Sequence, residues 1–502
     1  MDFTESEDFM RQKRRSGILL HPTSLPGPGG IGSLGKECRH FIDFLEEAGQ
    51  SLWQVLPLGP AAYGNSPYSC YSAFAGNPLL IDLATLVDEG DLEPEEAVAE
   101  VSADHVDFPA VDAFKSRALR TAAARFHAHG DTDRKQEFWH FCDTTPWLHD
   151  AALFMALKEH FGGKSWNTWP KEIARRESAA LEKYSVRLGV AIGEHKYIQW
   201  QFSRQWRHVR EYANSKGIAV VGDIPIFVAF DSTDVWTNPG LFKLDDKGKP
   251  TVVAGVPPDY FSKTGQRWGN PLYDWDAMAA DGFRWWIERF RGSFALHDVV
   301  RVDHFRGFEA CWEVPAKEKT AVNGQWVPAP GTALFDAVIG AVGSLPIIAE
   351  DLGVITPAVE ELRDRYRFPG MKILQFAFDS GPGNPYLPHN FTRDCVVYTG
   401  THDNDTTQGW FQSLSPRERR EVLAYTDTTG KEVHWELIRL GMASVADMAI
   451  FPLQDVMGLD GSSRMNLPGT PRGNWSWRYS EGMLTAKHAK KLLELTVLFG
   501  RK

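Results

Sequence analysis

Apolar and polar positions along the chain fall into a repeating order: a short buried run, a polar exit, then a stretch with helical spacing. Residues 17–20, Gly-Ile-Leu-Leu, form the first such run and leave through His21-Pro-Thr-Ser-Leu-Pro, a loop punctuated by proline. Positions 37–48 place Phe41, Phe44 and Leu45 on one helical face and stop at Gly49. A second buried run follows at 51–58, Ser-Leu-Trp-Gln-Val-Leu-Pro-Leu. Further runs begin near 218, 299, 346, 371, 395 and 449, with helices predicted over 197–215, 333–341, 357–366, 416–425 and 432–446. Strands alternating with helices in this way, eight in all, predict an α/β fold, a (β/α)8 barrel.

Two stretches interrupt the alternation. Between 85 and 196 strand character disappears and helical periodicity dominates, which reads as a helical insertion. Between 230 and 292 lie a predicted hairpin over 241–255, around Asp245-Asp-Lys-Gly-Lys, and a loop over 256–275 rich in Pro, Gly and aromatics. That loop has the character of a lid. The chain is accordingly divided into 1–84 (barrel, with a long aromatic loop), 85–196 (insertion), 197–229 (barrel), 230–292 (hairpin and lid) and 293–502 (remainder of the barrel). The loop at 59–78 is too long for a plain connector, and Tyr63, Tyr68, Tyr71 and Phe74 argue against disorder there.

Composition narrows the function. With 502 residues, 43% hydrophobic, the chain has ample core, and its net charge of -11 gives no general attraction for nucleic acid or anionic lipid. A neutral or small-molecule substrate is favoured. The 18 tryptophans suit flat apolar faces such as those of sugar rings, although most serve a core. Five scattered cysteines, with no Cys-x-x-Cys, read as reduced thiols of a cytoplasmic protein. No signal-type h-region opens the chain, and no run approaches the ~18 apolar residues of a membrane span.

The strand exits are charged. The fourth run passes from Val299-Val to Arg301-Val-Asp303-His, so Arg301 and Asp303 face the same way and a guanidinium aims a carboxylate. Other exits carry Asp223, Glu350 and His402-Asp403, and in a barrel all strand C-terminal ends meet on one face. Carboxylates crowded in one mouth raise one another's pKa, so one proton stays at neutral pH, the condition for retaining glycoside chemistry. Plainer readings exist for each residue alone. Arg301-x-Asp303 could be a structural ion pair, Glu350-Asp351 a helix cap and His402-Asp403 a turn, while His297-Asp298 with Asp303-His304 has the composition of a metal site.

At these residues the sequence resembles the bacterial 4-α-glucanotransferases, the amylomaltase or disproportionating-enzyme family (glycoside hydrolase family 77) of the α-amylase clan. The motifs that carry the likeness span nearly the whole chain. They include Gly17-Ile-Leu-Leu-His-Pro-Thr-Ser-Leu-Pro-Gly, Trp53-Gln-Val-Leu-Pro-Leu-Gly-Pro, Ser66-Pro-Tyr, Gly222-Asp-Ile-Pro-Ile-Phe-Val-Ala and Pro257-Pro-Asp-Tyr-Phe-Ser. Arg267-Trp-Gly-Asn-Pro-Leu-Tyr, Arg301-Val-Asp-His-Phe-Arg-Gly-Phe, Ala349-Glu-Asp-Leu-Gly and Gly400-Thr-His-Asp-Asn-Asp complete them.

The resemblance implies transfer of α-1,4-glucan segments, such as maltooligosaccharides and amylose, without cofactor or metal. It makes Asp303 the nucleophile, Glu350 the general acid/base and Asp403 the carboxylate that binds and distorts the sugar. Arg301 and His402 would orient that sugar, Asp223 would support it and Tyr68 would stack on it, with Asn404 of the same motif among the sugar-binding residues. Gln266 and Trp268 match donor and acceptor subsites, Asp259, Tyr260 and Phe261 a gating loop, and Tyr63 a second glucan site of some members. An α-glucan hydrolase, a non-catalytic glucan-binding regulator and a barrel metal-hydrolase are the rival readings.

Overall fold

The computed structural model describes residues 13–99, 104–258, 262–470 and 472–502. Eight strands form one parallel sheet: β1 (Arg15–Leu19), β2 (Leu52–Gln54), β3 (Ala219–Pro225), β6 (Val299–Asp303), β9 (Ile347–Ala349), β10 (Gly370–Ile373), β11 (Cys395–Tyr398) and β12 (Met448–Pro452). Their order, β10-β11-β12-β1-β2-β3-β6-β9, is sequence order wrapped round a ring, with each run starting where the hydrophobic pattern predicts. The strands are buried almost throughout, as a parallel sheet covered by helices requires. Inside the ring Tyr398 Oη donates to Gln54 Oε1 at 2.8 Å, across strands that are not neighbours.

The ring closes between β9 and β10 by a different device. Ala349 N–H donates to Pro369 O at 2.9 Å, and Met371 N–H donates to Asp351 Oδ1 at 2.7 Å, so a carboxylate stands in for part of the ladder. Arg363 pairs with the other oxygen at 2.5 Å. Gly370 makes room: a Cβ there would lie 2.3 Å from Asp351 Oδ2.

Between β2 and β3, and again between β3 and β6, the chain leaves the barrel sheet. Helices Phe108–His129, Thr132–Thr144 and Leu148–His160 build the insertion. A 27-residue helix, Gly189–Ser215, runs through the boundary drawn at 196/197 and packs Tyr197, Trp200 and Trp206 into the core. The second interruption holds β4 (Val252–Val256) and β5 (Gln266–Pro271), an antiparallel pair. Part of the stretch read as a lid loop is thus a strand, its backbone satisfied by β4. Two further strands, β7 (Ala310–Pro315) and β8 (Gln325–Pro328), come from the segment assigned to the barrel remainder and complete a four-stranded sheet in the order β5-β4-β7-β8. Its cross-strand pair Trp312–Trp326 meets edge to face at 5.2 Å. Among the described residues no helix is long and apolar enough to cross a membrane.

The seam generates a prediction. Gly370→Ala drives a methyl group into Asp351 and should destabilise the protein by about 1–3 kcal/mol, the usual cost of overpacking, read as a lowered Tm in thermal unfolding.

Candidate active site

Strand register assembles the charged cluster. Asp223 of β3 is paired with Arg301 of β6, and Val302 with Ala349 of β9, so Glu350 emerges beside Asp303. Arg301 Nη1 donates to both oxygens of Asp223, at 2.8 and 2.6 Å, while Nη2 donates to Asp303 Oδ1 at 2.9 Å. The guanidinium is buried, and the carboxylates around it hold its pKa well above the usual arginine value despite that burial. Burial pushes the Asp223 carboxyl up to about 7, and the charge of Asp303 adds to this against the opposing pull of Arg301.

After Asp303 the chain turns sharply. His304 adopts a left-handed conformation (φ 53°), which aims its N–H at Glu350 Oε2, 2.7 Å away. Leu352 N–H donates to Glu350 Oε1 at 3.0 Å. Burial raises the Glu350 pKa above the ordinary value, the negative charge of Asp303 raises it further, and Arg301 and the His304 N–H oppose the rise. On the opposite side Tyr68 Oη donates to Asp223 Oδ2 at 2.8 Å and lies 3.4 Å from His402 Nδ1, the two rings stacking at 4.9 Å. Burial lowers the His402 pKa and favours a neutral imidazole.

Asp303, Asp403, Tyr68, His402, Gln266 and Trp268 line one cavity of about 300 Å³. Glu350 lies just outside its wall, held by His304, which does line it. Trp268 stands edge-on to His304 at 4.7 Å, and its Nε1 donates to Gln266 Oε1 at 3.1 Å, so β5 brings both predicted lid residues to the site. A larger cavity of about 670 Å³ lies between the first barrel loops and the helical insertion, but none of the three acids reaches it.

Other expected residues fall elsewhere. Asn404 accepts from Thr401 N–H and Oγ1 at 2.8 and 2.9 Å, holding the turn rather than facing the cavity. Tyr63 is 75% exposed and lines neither cavity. Asp259, Tyr260 and Phe261 lie outside the described residues. His297 and Asp298 precede β6 and are engaged there, His297 Nδ1 with Ser293 O at 2.9 Å and Asp298 with Arg210 at 2.6 Å.

The sequence reading missed Asn466 and Trp475, which reach the cavity from a loop after β12. Asn466 donates to Asp403 Oδ1 at 2.6 Å, and Trp475, at φ 66°, packs on Tyr68 and His402 at 6.0 and 5.8 Å. The signal for them was the aromatic run Asn474-Trp-Ser-Trp-Arg and the turn-rich Asn466-Leu-Pro-Gly before it.

A parallel barrel whose strand ends deliver an aimed carboxylate beside a buried one with a raised pKa has the arrangement of barrel glycosidases and transglycosidases. The model of glycoside hydrolase family 77, described as 4-alpha-glucanotransferase, matches residues 20–485. The chain is 53% identical over 500 residues to a 4-alpha-glucanotransferase of Synechocystis, covering 98% of this chain and 99% of that one. A 4-alpha-glucanotransferase of Thermus thermophilus is 50% identical, with 96% of this chain and 98% of the relative covered. Among solved structures, the amylomaltase of Streptococcus agalactiae in complex with acarbose superimposes with a TM-score of 0.95 at 40% identity, covering 97% of this chain and all of that one. The Corynebacterium glutamicum amylomaltase shares the fold, with a TM-score of 0.81 at 17% identity, over 99% of this chain and 77% of that one. The chain belongs to the 4-alpha-glucanotransferase family, glycoside hydrolase family 77.

Arg301→Met leaves the buried carboxylate of Asp223 and the partly exposed one of Asp303 without their counter-charge. The expected loss is about 3–5 kcal/mol, as for a broken buried pair. It should be larger at pH 8 than at pH 5.5: in the native protein Asp223, at about 7, is ionised against Arg301 at the higher pH, whereas without the cation its carboxyl shifts further up, and at the lower pH a proton takes the place of the missing charge. Urea unfolding at the two pH values measures the difference.

Proposed function

We propose that this 4-α-glucanotransferase works by a double displacement in which Asp303 is the nucleophile and Glu350 the acid/base. The observation that carries the assignment is the pairing of an Arg301-aimed Asp303 with a buried Glu350 whose pKa is raised. Glu350 protonates the leaving oxygen of an α-1,4 bond while Asp303 attacks the anomeric carbon, giving a covalent glycosyl-enzyme of inverted configuration. The deprotonated Glu350 then takes the proton of the acceptor's 4-hydroxyl, which attacks the same carbon and restores the α-linkage.

Asp403, half exposed in the cavity, takes the role of the carboxylate on the distorted sugar. His402, Tyr68 and Asp223 form the connected surface beneath that sugar, and Gln266 and Trp268 flank it. Linear α-1,4-glucans are the substrates this reading selects. The acarbose in the S. agalactiae neighbour, a maltooligosaccharide analogue, supports that choice.

Labelled maltotriose separates transfer from hydrolysis: transfer yields glucose and a ladder of longer chains with constant reducing ends, whereas hydrolysis raises reducing ends steadily. A slow fluorinated maltosyl donor should attach to Asp303, located by peptide mass analysis; attachment elsewhere contradicts the assignment.

The direction of the Glu350 shift sets a pH dependence. A proton donor with a raised pKa is lost only as pH climbs through a value above the ordinary 4.5, so kcat/KM for maltotriose should show its alkaline limb above that value. Glu350→Gln, assayed with a maltosyl fluoride whose leaving group needs no proton, should lack the limb.

A further inference from the structure

A loop reaching back from beyond the last barrel strand grips the most exposed of the three acids. Asp403 sits in the irregular stretch between β11 and the helix Thr407–Ser413, and its side chain is 49% exposed. A carboxylate so placed has several rotamers open to it, and each freely rotating side chain forfeits precision. Asn466 Nδ2 donates to Asp403 Oδ1 at 2.6 Å, and Asn466 N–H donates to His402 O at 3.1 Å. Arg464 binds both partners: its Nη2 donates to Asp403 O at 2.5 Å and its Nε to Asn466 O at 2.7 Å. His402 Nε2 stands 3.4 Å from the same Oδ1.

The loop is itself held under strain. Trp475 occupies the left-handed region, which a bulky side chain adopts only when its surroundings impose it, and its N–H donates to Met465 O at 2.8 Å. Segment 464–466 is therefore tied at one end to the ring stack under the sugar and along its length to Asp403 and His402.

From this geometry we infer that Asn466 is the positioning residue of Asp403, with Arg464 fixing the loop that presents it. The inference rests on the reading of Asp403 given above. An amide suits the task because it donates without adding a positive charge that would pair off the carboxylate. It occupies Oδ1, on the side shared with His402, and leaves the exposed remainder of the group toward the cavity. Asn466 acts on turnover through Asp403, whereas a residue that merely held sugar would act on binding.

The test is a cycle of Asn466→Ala, Asp403→Asn and the double variant, with kcat and KM measured on maltotriose and residual rates on α-maltosyl fluoride. Asn466→Ala should lower kcat by about 10–100-fold, the scale of a misplacement of about 1 Å, with KM within about threefold of the native value. In the Asp403→Asn background the same change should cost less than about twofold, because residues acting as one unit are not additive. Arg464→Met supplies a second variant, with a smaller fall in kcat and the same non-additivity.

A native kcat for Asn466→Ala, a loss confined to KM, or full additivity with Asp403→Asn overturns the inference while leaving the reading of Asp403 in place. An Asp403→Asn variant with native turnover overturns both.

Discussion

Everything at the barrel mouth depends on one buried cation. Arg301 is 4% exposed, and taking a guanidinium out of water costs several kcal/mol unless well-placed acceptors meet it. Asp223 and Asp303 meet it on two sides, and the first of them can do so only because β3 and β6 pair in the register that sets Asp223 opposite Arg301. Once that register holds, the rest follows by contact: Tyr68 on Asp223, His402 on Tyr68, and Asp303 aimed where Arg301 points it. Electrostatic need and strand pairing thus enforce the same geometry.

Glu350, the proposed acid/base, occupies a different mechanical setting. Glu350 follows β9, a strand of three residues at the joint where the ladder gives way to Asp351 and a single backbone bond to Pro369. Its carboxylate is fixed by two backbone donors, and its pKa is set by burial and by the neighbouring charge of Asp303. Asp303, the proposed nucleophile, is therefore held by a side chain within a long, regular pairing, and Glu350 by loop backbone at the seam. That division suits a pair in which one member keeps its charge state until it bonds and the other changes protonation twice per cycle.

How much of this could be read from residues alone follows from the range of each interaction. The eight strands were legible because each is largely buried and centred on apolar residues; Asp303 and Glu350 stood out because such a run ends abruptly in charge. β5, β7 and β8 were not. Gln266, Arg267 and Trp268 are all exposed, and Gln325–Pro328 is partly so, which leaves the hydrophobic pattern of a loop until the partner strands are known. Asn404 shows how local a contact can be: it stands beside Asp403 in a motif of sugar-binding type, and its side-chain oxygen closes a local turn by accepting from Thr401, a common use of an asparagine after a strand. Asn466 and Trp475 were missed because their partners lie more than sixty residues away, and no local spacing encodes such a contact.

Those distant contacts bear on why a sugar rather than water completes the reaction. Water is the more abundant nucleophile and needs no subsite, so transfer prevails only if an acceptor is oriented before water attacks. Well-oriented groups reach effective molarities of about 10⁵–10⁸ M, enough to outweigh that abundance. The cavity walls that would orient it come from three separate segments: the loop with Tyr68, strand β5 with Gln266 and Trp268, and the loop with Asn466 and Trp475. Each is anchored to the acid cluster or to its neighbours, at Asp223, His304 and Asp403 in turn. In the proposed mechanism the surface that selects the acceptor is thereby locked to the surface that performs the chemistry, and a displacement of either is felt by the other.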